Sequence, residues 1–236
     1  MRRTEVKERL RKLIERRQPG EVLPSERALS TQIGVSRPTL RAAIDELARD
    51  GLVVREHGRG TFTAPRKISQ DLLPATGGDQ FAPPADGHWT SKVVDFQITP
   101  AGARLGKRLE VSPSRPLVAV TRLRIVEEAP MAIERILVPR EIVPDITCAD
   151  FESGSFYELL RTRYEVRPST AVQITEPTVT DVGESSLLGV PQHSPALLFE
   201  RTTRDPGGRV IEYTRSIYRG DRYRITTHLK FDHTSG

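Results

Sequence analysis

The residues of this chain best suited to chemistry are arginines at regular spacings. Arg37 and Arg41 lie four apart, one turn of a helix, with Ser36 and Thr39 beside them. Guanidinium groups so spaced either pair with guanine in the bidentate manner or clamp a phosphate. Arg122 and Arg124 lie two apart, so on a strand both point to one side. Such a pair suits a phosphate or carboxylate ligand, or else is a solvated sheet face. Glu134 is placed to face the same side from the next strand, and Glu212 and Tyr218 share a face of a later one. Enzymatic sets are missing. There is no Ser/His/Asp constellation at a recognisable spacing, no GxSxG and no P-loop. His57, His88, His193, His228 and His233 form no metal-ligand pair at i, i+3 or i+4. The single cysteine, Cys148, excludes an internal disulfide framework and a thiolate zinc cluster. No catalytic residue, cofactor or metal is expected.

Charge is distributed unevenly. Residues 1–66 hold 15 Lys and Arg against 9 Asp and Glu, a net charge of +6, while residues 67–236 hold 21 against 22. A basic excess confined to one end points to a polyanion partner for that end, or to a solvated arginine-rich helix face. The charged N-terminus has no apolar h-region, and no apolar run approaches the ~18 residues of a membrane span. A cytoplasmic location without membrane attachment is expected.

The elements that must position these residues are legible in the apolar periods. Val6, Leu10, Leu13 and Ile14 make one helical stripe, ended by Gln18-Pro19-Gly20. Ser25 caps a second helix with Leu29 and Ile33 inward and Gly34 closing it. Ser36 caps a third, with Pro38 in its first turn and Leu40, Ala43, Ile44 and Leu47 on one face. Two short strands follow, joined by the turn His57-Gly58-Arg59-Gly60. Three helices with a three-residue connection between the last two, plus a hairpin, predict a winged helix-turn-helix. Residues 65–90, broken by proline and glycine, read as a linker. Beyond Ser91 the pattern becomes strands, with hairpins across Glu127-Glu128-Ala129-Pro130 and Asp205-Pro206-Gly207-Gly208. The connections are too short for a parallel sheet, so an antiparallel α+β domain with helices on one face is expected. The domains are therefore 1–66, a linker 67–90, and 91–232.

The stretch LPSERALSTQIGVSRPTLRAAIDELARDGLVVREHGRGTF, Leu23 to Phe62, resembles the winged-helix domain of GntR-type bacterial transcription regulators. The resemblance implies that Arg27, Ser36, Arg37, Pro38, Thr39, Arg41, His57 and Gly58 occupy DNA-contacting positions. Pro38 stands where Thr or Asn is more usual and has no side-chain donor. SKVVDFQITPA, RLRIVEEAPMAIER, GSFYELL and GGRVIEYTRSIYRGDRYR resemble the effector-binding domain of the HutC subfamily, whose fold is similar to chorismate lyase. By that resemblance Arg122 and Arg124 clamp an anionic group, with Ser155 and Tyr157 adding hydroxyl donors at a helix start. Glu134, Glu212 and Tyr218 bind the polar body of the ligand, and Thr90 and Ser91 close the site from the linker side. The implied function is a homodimeric repressor on a palindromic double-stranded DNA operator, released by a small anionic effector. A phosphorylated amino sugar is the class named, because acidic side chains beside a phosphate would repel it, so Glu134 and Glu212 should face its neutral or cationic part. The rival is a chorismate-lyase-like enzyme fused to a DNA-binding module.

Overall fold

In the computed structural model, residues 3–56, 58–64, 67–72, 88–152 and 155–227 are described, and the chain divides into two compact units, Met1–Lys67 and Ile68–Gly236.

The first unit is organised by the apolar stripe of its third helix. Helix α1 spans Arg3–Glu15, α2 Glu26–Ile33 and α3 Arg37–Arg49. Leu40, Ala43, Ile44 and Leu47 of α3 are fully buried against Val6 and Leu10 of α1 and Leu29 and Ile33 of α2. The Ala28 N–H donates to Ser25 Oγ (3.2 Å), capping α2, and the Thr39 N–H donates to Ser36 Oγ (3.4 Å), capping α3. Gly34 closes α2 at φ +76°, a conformation that disfavours any side chain with a Cβ. Only Gly34-Val35-Ser36 separates α2 from α3. Strands β1 (Val53–Glu56) and β2 (Gly60–Thr63) form the antiparallel wing. Buried Thr63 fixes the wing to the connection between α1 and α2: its hydroxyl donates to the Gln18 carbonyl (2.6 Å) and accepts from the Glu21 N–H (2.9 Å).

The second unit is built on a six-stranded antiparallel sheet. Its strands are β4 (Trp89–Pro100), β5 (Pro116–Val126), β6 (Ala129–Pro139), β7 (Thr170–Val179), β8 (Pro195–Arg204) and β9 (Val210–Arg219), in spatial order β4-β5-β6-β9-β8-β7. The sheet is covered on both faces, not on one. Helix α5 (Phe156–Arg163) and the turn Cys148–Phe151 pack over Val118, Val120, Ile136 and Val138. Helices α4 (Gly102–Leu109) and α6 (Val182–Leu188) lie on the other side, against Leu117, Ala119 and Leu137 and against Ile133 and Ile217. The reason is in β5 and β6, which are apolar at successive residues, so each face needs cover.

The expected linker also contains a strand. β3 (Ile68–Leu72) pairs in parallel with β10 (Tyr223–Thr227). ISQDL has no strand period of its own; its conformation is set by a partner about 150 residues away. Residues 73–87 lie outside the described residues.

Candidate functional sites

In the first unit, α3 presents Arg37, Pro38 and Arg41 to solvent, as α2 does Arg27 and the wing Gly58. Ser36 is exposed, and its hydroxyl lies 2.8 Å from that of half-buried Thr39. His57 lies outside the described residues. The structure joins three further residues, Glu26, Arg55 and Asp45, to Arg41. Glu26 receives Arg41 Nη2 at 2.8 Å and Arg41 Nε at 3.2 Å, and also accepts from Arg55 Nη2 at 3.3 Å. Arg55 in turn pairs with Asp45. The hydrogen bond from Arg41, reinforced by the charges of Arg41, Arg55 and Arg37, holds the Glu26 carboxyl below its ordinary value against burial. Nothing in the local periodicity announces this cluster, because its members come from α2, α3 and β1.

In the second unit, a cavity of about 360 Å³ opens over the sheet face that carries Arg122. Eight of the nine expected residues line it: Ser91, Arg122, Arg124, Glu134, Ser155, Tyr157, Glu212 and Tyr218. Thr90 does not. It is exposed, and as the neighbour of Trp89 and Ser91 on β4 it points to the opposite face.

The antiparallel register sets Arg122 opposite Glu134 and Arg124 opposite Ser91. Arg122 Nε donates to Glu134 Oε2 (2.8 Å) and Arg122 Nη1 to the Phe151 carbonyl (3.1 Å). Arg124 Nη1 reaches the same Glu134 oxygen at 3.4 Å, and the Tyr218 hydroxyl donates to Glu134 Oε1 (3.1 Å). Glu134 therefore sits at the arginine end of the cavity, not at the opposite end where like-charge repulsion from a ligand anion had placed it. Its carboxylate holds two guanidinium groups in place. Burial pushes the Glu134 carboxyl up, but Arg122, Arg124 and Arg201 outweigh burial and bring it down to about 2. Arg124 lies over the Trp89 ring at 5.2 Å, and its Nε is buried with no hydrogen-bond partner among the described residues.

Ser155 stands at the start of α5, and its side chain makes no cap hydrogen bond. Farther along, the Tyr157 hydroxyl lies 3.2 Å from Thr203 Oγ1, and Glu212, almost wholly buried, accepts from Thr214. Burial, then the charge of Glu212, raises the Tyr157 phenol; burial, then Glu134, raises that of Tyr218. Both keep their protons and can donate.

Sequence reasoning missed Arg201, Trp89 and the pair Gln70 and Tyr223. Arg201 lies over the Tyr157 ring at 5.4 Å, and the Glu212 and Glu134 carboxylates help offset the burial of its charge. A signal for it exists. Counting back from the Asp205–Gly208 turn pairs Arg201 with an even-numbered residue of β9, the side that holds Glu212 and Tyr218. Gln70 accepts from the Tyr223 hydroxyl, so the β3–β10 pair closes part of the cavity. Among the described residues no group of three or more His, Cys, Asp or Glu is placed to hold a metal ion, and no helix is long and apolar enough to cross a membrane.

The family model described as "Bacterial regulatory proteins, gntR family" matches residues 2–63, and the UTRA domain matches residues 85–224. The HTH-type transcriptional repressor NagR of Bacillus subtilis is 32% identical over 212 residues, 90% of this chain and 87% of that one. The mannosyl-D-glycerate transport/metabolism system repressor MngR of Escherichia coli is 29% identical, covering 94% and 93%. The crystal structure of PhnF from Mycobacterium smegmatis superposes with a TM-score of 0.62 at 26% identity, covering 96% of this chain and 100% of that one.

Proposed function

The chain belongs to the gntR family of bacterial regulatory proteins and carries a UTRA domain, and from that premise we propose that it is a repressor released from its operator by a small anionic metabolite. It is a DNA-binding transcription regulator with an effector-binding domain, not an enzyme. The effector we assign is a phosphorylated amino sugar.

The observation that carries this assignment is the set of donors left over in the cavity. Among the described residues Arg124 Nε has no hydrogen-bond partner and Ser155 is not spent on capping its helix, and both line one pocket with the buried Arg122. Charged and hydroxyl donors beside a helix start suit a phosphate. Glu212, Tyr157 and Arg201, which line the same cavity, offer both acceptors and donors, as the hydroxyl and amino groups of a sugar require. The relative MngR is named for mannosyl-D-glycerate, which likewise joins a sugar to an anionic group.

The chain acts as a homodimer, because one winged helix reads few base pairs and two read a palindrome of fixed spacing. Arg27, Ser36, Arg37, Pro38, Thr39, Arg41, His57 and Gly58 meet the DNA. Effector and DNA binding are reciprocally coupled, so an effector that weakens DNA binding binds the DNA complex less tightly. The test is fluorescence anisotropy on duplexes that the full chain selects from a random pool. Glucosamine 6-phosphate should release the DNA and glucosamine should not. A complex indifferent to both sugars would contradict the effector class.

A further inference from the structure

Arg41 is the most exposed member of the Glu26 cluster, with 62% of its side chain accessible, yet it is not free to swing. Its Nε and Nη2 both meet the Glu26 carboxylate, at 3.2 and 2.8 Å. A guanidinium has two edges that can bond in the bidentate manner. Glu26 takes the Nε–Nη2 edge. The outer Nη1–Nη2 edge is left for another partner, and its donor spacing matches the O6 and N7 acceptors of guanine.

Glu26 is itself anchored. It is half-buried in the first turn of α2, and Arg55 of β1 holds its Oε1 while pairing with Asp45 of α3. Three elements thus converge on one carboxylate that fixes the direction of one exposed arginine. An unheld arginine gives up rotamer freedom when it meets a base, whereas one already pinned loses less.

We propose that Glu26 is a positioning residue for base reading, aiming the outer edge of Arg41 at a guanine in each half-site. The proposal rests on the assignment of Arg41 to the DNA interface. It has an unusual consequence. Glu26 is an acid close to the DNA-facing arginines, so it opposes non-specific phosphate binding while it supports specific reading. A residue that only stabilised the fold would move both in the same direction.

The experiment uses the full chain as wild type, Glu26→Gln, Arg41→Ala and the double variant. Each selects duplexes from a random pool for sequencing, and each is titrated on one scrambled duplex. Thermal melting confirms that each variant is folded. Arg41→Ala should erase one guanine preference per half-site. Glu26→Gln should lower the same preference by roughly fivefold or more, leave the other positions unchanged, and bind the scrambled duplex at least as tightly as wild type. The double variant should match Arg41→Ala at that position. If Glu26→Gln keeps the guanine preference within twofold, or sharpens it, Glu26 does not aim Arg41 and the proposal fails while Arg41 remains a reader. If Arg41→Ala leaves every position unchanged, the proposal falls together with the assignment of Arg41 to base reading.

Discussion

Both units contain an arginine held by a carboxylate, in opposite surroundings. The Arg41–Glu26 pair is at the surface, with side chains 62% and 26% accessible; the Arg122–Glu134 pair is buried, at 6% and 10%. The exposed pair remains accessible to solvent, so forming it stabilises the fold little, and one guanidinium edge is left open. The buried pair is largely withdrawn from solvent, and the Glu134 carboxylate is held charged against burial by Arg122, Arg124 and Arg201. On the proposed reading the same chemical motif serves two ends: orientation where DNA arrives, and preservation of a charged site inside a cavity.

The comparison is broken most severely at Glu134. Glu134→Ala leaves Arg122 and Arg124 without their shared carboxylate and should cost about 3–5 kcal/mol, read as a shift of the second unit's urea transition. A cost below about 1 kcal/mol would place this pair in the same class as Arg41–Glu26. Next in size is Ile44→Ala, which removes a fully buried side chain from the inner face of α3. It should cost about 2–5 kcal/mol in the first unit. A loss near 0.5 kcal/mol would mean that another face of α3 points inward.

Acid sharpens the contrast without mutation. The Glu134 carboxyl is depressed from an ordinary 4.5 to about 2, so its contribution is complete above pH 4.5 and is lost as the pH falls toward 2. Melting temperature of the second unit should fall across that window in wild type, and less steeply in Glu134→Gln. The smallest effect on stability is expected at Glu26. Glu26→Gln should change the stability of the first unit by less than about 1 kcal/mol, although on the proposed reading it should change which bases are read.

How much of this was legible from sequence depends on how far apart the partners are. The α3 stripe was legible because Leu40, Ala43, Ile44 and Leu47 repeat within one helix. Arg122 and Arg124 were legible as neighbours on one strand face, and Glu134 as facing them. That Glu134 is taken up by the arginines was not, because burial and hydrogen bonding arise only when the sheet is covered. Thr90 was misplaced because adjacent residues of a strand point to opposite faces. β3 was hidden because Ile68–Leu72 takes its conformation from β10. The Glu26–Arg41–Arg55 cluster was hidden for a related reason, since three elements meet there and none carries the pattern alone.

The central claim is that the second unit takes an anion through donors the fold leaves unspent. Calorimetric titration of the full chain with glucosamine 6-phosphate and with glucosamine, on wild type and Arg124→Ala, tests it most directly. The phosphorylated sugar should bind wild type, its unphosphorylated form should not, and Arg124→Ala should weaken binding about tenfold or more, the loss of one hydrogen bond to a charged group. Equal binding of the two sugars to wild type, or an unchanged affinity in Arg124→Ala, would contradict it.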